Sequence, residues 1–109
     1  MAGRAIWLGS AMAAALLWAG ATLASTKSGV MKWHQADYSG AVADWREPAA
    51  AGDADAQFNL GQAYKLGKGV PADITTARDW FRKAADRDHL GAQANLGLIL
   101  FQQDQRDAA

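Results

Sequence analysis

Residues 53–64, DADAQFNLGQAY, are replayed at residues 91–100 as GAQANLGLIL. Ala56 matches Ala92, Gln57 matches Gln93, Asn59 matches Asn95, Leu60 matches Leu96 and Gly61 matches Gly97, each pair 36 positions apart. A fixed period in this range means one supersecondary unit copied in tandem. Such a unit cannot bury its apolar face alone, so copies stack into a solenoid in which each touches only its neighbours. Solenoids of this kind usually offer surfaces to partners rather than catalytic pockets.

The residues between the two copies sharpen the reading. After Tyr64 come Gly67-Lys68-Gly69-Val70-Pro71, then Asp73, Ala77, Trp80 and Lys83-Ala84-Ala85. This order resembles the Sel-one-like repeat, a helical-hairpin relative of the tetratricopeptide repeat, at nearly every family position from Ala54 to Ala85. Upstream, Tyr38, Ala41, Trp45 and Ala49-Ala50 resemble the second helix of an earlier repeat. Trp45 and Trp80 lie 35 positions apart, so the register is expected to slip by one near Gly52. Val30 to His34 would supply a short, degenerate first helix. Downstream, the pattern fades after Phe101, where Gln102-Gln103-Asp104-Gln105 replaces the glycine-rich loop. The best repeat is residues 54–89, flanked by partial repeats at 30–53 and 90–109. The resemblance implies an all-α fold, a right-handed superhelix of helix-turn-helix repeats, truncated at its C-terminal end.

Local chemistry supports these helices. Asp53 is placed to cap a helix from Ala54 to Leu66, with Asp55 at the positive end of its dipole. Ala56, Leu60, Ala63 and Tyr64 share one face at helical spacing. Gly61 costs about 1 kcal/mol relative to alanine inside a helix, which points to close approach of a neighbour. Gly67 is expected to end the helix in a left-handed conformation. Val70 packs under the turn, and Pro71 stops continuation. Asp73 then caps a helix from Ile74 to Asp86, with Ile74, Ala77, Trp80, Phe81 and Ala84 facing the first. Asp88 is expected to cap a third helix, Leu90 to Gln102, in the role of Asp53.

The N-terminus reads differently. Arg4 precedes an apolar, alanine-rich run from Ala5 to Ala24, ending in small residues at Ala19-Gly20-Ala21 and Thr22-Leu23-Ala24. A basic start, an apolar run and small residues describe a secretory signal peptide, residues 1–24. Residues 25–109 would then be periplasmic or secreted. The alternative is an uncleaved leader anchoring the chain in the inner membrane, since the run is near the minimum spanning length. No membrane contact other than such a leader is expected.

Composition excludes several chemistries. The chain has 11 basic and 11 acidic residues, with no basic block of the kind that binds nucleic acid. It has no cysteine, hence no disulfide framework and no thiol nucleophile. His34 and His89 are far apart, and neither sits in a metal-ligand or acid–base arrangement. No serine lies in a nucleophile-elbow motif. The loop Gly67-Lys68-Gly69 fails the spacing of a Walker phosphate loop and follows a helix rather than a strand. No cofactor, metal or enzymatic activity is implied.

One set of residues falls outside the expected core. Phe58, Gln62 and Lys65 lie on the wheel opposite Ala56, Leu60 and Tyr64. Their counterparts 36 positions on are Ala94, Leu98 and Phe101. In the family that the chain resembles, first helices line a concave groove, so these six residues form the candidate partner-binding strip. The alternative for Leu98 and Phe101 is burial beneath a following element. The expected function is an exported protein–protein interaction adaptor, assembling or regulating complexes in a Gram-negative envelope. The rival is a cell-envelope structural protein, the front part of a longer peptidoglycan-associated chain with a sporulation-related domain. Leu96, Ile99, Leu100 and Phe101 would lack cover if the next helix began near Arg106. Self-association through the uncapped C-terminal helix is the expected consequence.

Overall fold

The computed structural model describes residues 20–108. Five helices and no strand occur among them: α1 over residues 20–34, α2 Tyr38–Ala50, α3 Ala54–Leu66, α4 Ile74–Ala85 and α5 Leu90–Ala108. From α2 onward each helix packs on the next in chain order, which is the contact pattern of a helical-repeat solenoid. Arg4, Trp7, Trp18 and most of the apolar leader lie outside the described residues. Residues 20–24 belong to α1.

Caps define the helix starts. The Asp53 carboxylate accepts the N–H groups of Asp55 and Ala56, and Asp73 does the same for Thr75 and Thr76. Gly67 ends α3 at φ 67°, as a left-handed cap. Gly69 has φ 76°, and a Cβ there would stand 2.5 Å from the carbonyl oxygen of Tyr38. The loop of Gly67-Lys68-Gly69 is therefore a contact between repeats: its backbone lies against the start of α2. The Lys68 ammonium sits over the Tyr38 ring at 4.9 Å. Val70 packs against the core below it, as the turn chemistry implies.

The core divides into two clusters joined through α3. Ala41, Val42, Trp45 and Ala49 of α2 meet Ala56, Leu60 and Ala63 of α3. Ala77, Phe81 and Ala84 of α4 meet Ala92 and Ile99 of α5. Two close approaches recur. A Cβ on Gly29 would lie 2.3 Å from the Trp45 indole, and one on Gly61 would lie 2.6 Å from the Phe81 ring. The first helix of each hairpin thus has a glycine notch filled by an aromatic from the second helix. The aromatics are 36 positions apart but the glycines 32; a second motif keeps the 36-residue spacing. The Gln57 amide donates to the Ala49 carbonyl at 3.1 Å, and the Gln93 amide to the Ala85 carbonyl at 3.3 Å.

Four expectations need correction. The counterpart of Trp45 is Phe81, which is fully buried, whereas Trp80 is half-buried under the Lys83 ammonium. The period is therefore 36 throughout α2–α5, with no slip near Gly52. Asp88 does not cap α5. It takes φ 63°, and the cap is His89, whose Nδ1 accepts the Ala92 N–H at 3.1 Å. His89, not Asp88, stands 36 positions after Asp53. The first helix of the early repeat is not the short segment from Val30 but runs through residues 20–34. Finally, α5 continues to Ala108 instead of ending at Gln102, because nothing between Phe101 and Asp107 breaks a helix. No second helix begins at Arg106.

α1 is bolted to the stack by polar contacts. Trp45 Nε1 donates to the Thr26 carbonyl at 3.1 Å, and the buried Thr26 hydroxyl donates to Asp53 Oδ2 at 2.7 Å. One residue thus joins α1 to the core tryptophan of α2 and the cap of α3. The Ser25 hydroxyl donates to the Asp44 carbonyl at 2.6 Å. Lys32 pairs with the Asp44 carboxylate at 2.9 Å. Hydrogen bonding from Lys32 is the main reason that the Asp44 carboxyl stays more acidic than usual; burial opposes it and Ser28 adds to it.

Candidate binding groove

The first helices α1 and α3 face one another across a groove. Phe58, Asn59, Gln62 and Leu66 of α3 oppose Val30, Trp33 and His34 of α1, with Trp45 at the back, around a cavity of about 250 Å³. The groove widens toward the N-terminal end of α3 into a more open space of about 630 Å³. Leu23, Lys27 and Met31 of α1 face Asp55 and the start of α5 there. Val30, Phe58 and Asn59 line both parts, so the two are continuous. On α1, Leu23, Lys27, Val30 and His34 recur at i, i+4, i+7 and i+11, one side of a helix. That spacing was readable, but in sequence it merges with the apolar leader.

Of the six strip residues, Phe58 and Gln62 line this groove. Phe58 is also structural, contrary to its place on the wheel. Its ring is half-buried, 5.7 Å from Phe81 and stacked on His89 at 4.5 Å. The Lys65 ammonium donates to Asn95 Oδ1 at 2.9 Å, tying α3 to α5, and has no carboxylate partner among the described residues. Ala94, Leu98 and Phe101 are exposed on α5 and line neither part of the groove. The strip is thus two surfaces, one between α1 and α3 and one on α5.

His89 organises the wide end. Because the Ala92 N–H must donate, Nδ1 is the acceptor, and the network assigns the ring proton to Nε2, 3.1 Å from Asp55 Oδ1. Both ring nitrogens thus have partners within the fold. Among the described residues no group of three His, Asp or Glu side chains stands close enough to hold a metal ion. No described helix is long and apolar enough to cross a membrane. What the groove offers is an apolar wall, two side-chain amides, the His34 imidazole, the Asp55 carboxylate and the Lys27 ammonium, a surface suited to holding a peptide segment.

The chain matches the Sel1 repeat over residues 54–89. Residues 54–89 are a Sel1 repeat. These residues are the α3–α4 hairpin together with its caps, from the helix start after Asp53 to His89. An F-box protein of Arabidopsis thaliana is 33% identical over 81 residues, covering 74% of this chain and 22% of the relative. The chain therefore spans about a fifth of that protein's length. No solved structure matches significantly. Sel1 repeats are typically non-catalytic scaffolds for protein–protein contacts.

Proposed function

We propose that the protein is an exported adaptor that holds a segment of a partner protein in the α1–α3 groove. The observation that carries this reading is the groove itself. It is apolar, open along its length, and formed by the paired first helices of two consecutive hairpins. Support for export comes from Arg4 and the apolar run to Ala24, which ends in small residues. The periplasm is the compartment proposed.

The test is site-directed. Met31 is 64% exposed, so Met31→Glu spares the fold while placing a carboxylate on the groove wall. In-cell crosslinking from the groove followed by mass spectrometry is expected to recover one protein from the envelope fraction, and Met31→Glu to remove that product. An undiminished product would refute the groove. Recovery of the protein from the cytoplasm would refute export.

A further inference from the structure

The third glycine notch is empty. Gly29 is filled by Trp45 and Gly61 by Phe81, whereas a Cβ on Gly97 would meet nothing within 4 Å. Gly97 lies on the side of α5 that faces away from α4, and that side is apolar. Leu90, Gly97 and Phe101 recur at i, i+7 and i+11, with Leu98 and Leu100 flanking them. Phe101 is 61% exposed and Leu90 78%. The surface adjoins the α4–α5 core through the partly buried Leu96. An exposed row of this kind marks an interface.

The chain supplies its own complement. Gly97 and Phe101 are one turn apart on one face. In an antiparallel pair of α5 helices with the twofold axis level with Ile99, each Phe101 falls on the Gly97 of the other copy. The same register puts Leu98 level with Leu100, and Asp107 level with Gly91 in the first turn of the other helix. Asp104 and Asp107 have no ion-pair partner among the described residues, and a helix N-terminus favours nearby negative charge. An isologous interface requires that if one position contacts another, the reverse contact also holds; Gly97 and Phe101 meet that requirement.

We infer that the outer face of α5 is the interface of a twofold dimer, in which the Phe101 ring of each copy fills the Gly97 notch of the other. This surface is separate from the α1–α3 groove, so either proposal stands or falls without the other.

Sedimentation of the full chain, purified in the form the cell produces, tests it. A concentration-dependent dimer is expected. Phe101→Ala should weaken it at least about tenfold, a change of roughly 1.4 kcal/mol. Gly97→Leu discriminates more sharply. The single chain has room for the side chain and gains helix propensity, so indiscriminate apolar association would strengthen, whereas a filled notch weakens the dimer. The double variant Gly97→Phe with Phe101→Gly exchanges knob and notch and should restore dimerisation. A wild-type chain that remains monomeric at roughly 0.1 mM, a concentration far above that of micromolar interfaces, overturns the proposal. So does a dimer strengthened by Gly97→Leu. Either result would leave the face to a helix of another protein or one further along its own chain.

Discussion

At the scale of single residues, the aromatic-on-glycine contacts decide where stability resides. Leu60 and Phe81 have no exposed surface, and truncation to alanine is expected to cost about 2–5 and 3–5 kcal/mol respectively. Trp80→Ala should cost clearly less than Phe81→Ala, because half of that indole already lies at the surface. Denaturant melts of the two variants check the ordering. Equal losses would place Trp80 in the seam after all. Phe58→Ala should lie between them, since its ring supports both Phe81 and His89. Acid sensitivity is also local. Lys32 holds the Asp44 carboxyl below its usual value, as bonds from Thr76 and Thr75 hold that of Asp73. A depressed folded pKa stabilises fully above the unfolded value, near about 3.9. That contribution is lost as pH falls through the folded value. Lys32→Met should therefore lower stability by about 0.2–1 kcal/mol at neutral pH, the range for part-exposed pairs. The difference should fade below about pH 4. A deficit unchanged in acid would mean that packing of the lysine stem, not the ion pair, is what was lost.

At the scale of elements, much was legible because glycine, proline and aspartate have strong local preferences. The bounds of α3, the left-handed Gly67 and the caps Asp53 and Asp73 all follow from those preferences. What misled was similarity of type. Trp80 and Phe81 are adjacent aromatics, and matching tryptophan to tryptophan shifted the register by one, although the Gly61–Gly97 period already pointed to Phe81. Asp88 resembled a cap more than His89 does, yet only His89 keeps the 36-residue spacing from Asp53. α1 was obscured because an export signal and a repeat helix both draw on small and apolar residues. The glycines now make separable predictions. Gly61→Ala should lower the melting temperature despite better helix propensity, because its Cβ would meet the Phe81 ring. Gly69→Ala should do so too, because it combines a positive φ with a backbone collision at Tyr38. A rise in melting temperature for Gly61→Ala would show that the two helices are not in close contact there.

At the scale of the whole molecule, two hairpins and a further helix form one stack, with a groove on one side and an open apolar helix face at the end. The groove was only half legible. Phe58 and Gln62 were assigned to it from the wheel, but its opposite wall on α1 was not, and Lys65 proved to be engaged by Asn95. Export carries its own expectation: the N-terminus of the exported protein, read by sequencing, should fall between Thr22 and Thr26, leaving Thr26 in place to join α1, α2 and α3. Intact Met1 in a membrane fraction would show an anchored chain instead. The central claim is that the second helices repeat every 36 residues, Trp45 matching Phe81, and that each closes its hairpin by seating that aromatic on a glycine of the first helix, Gly29 or Gly61. Nuclear Overhauser contacts in the folded protein test it most directly. The claim predicts that the Gly29 Hα protons contact the Trp45 indole and that the Gly61 Hα protons, shifted upfield by ring current, contact Phe81. Contacts from Gly61 to the Trp80 indole, with none to Phe81, would contradict it.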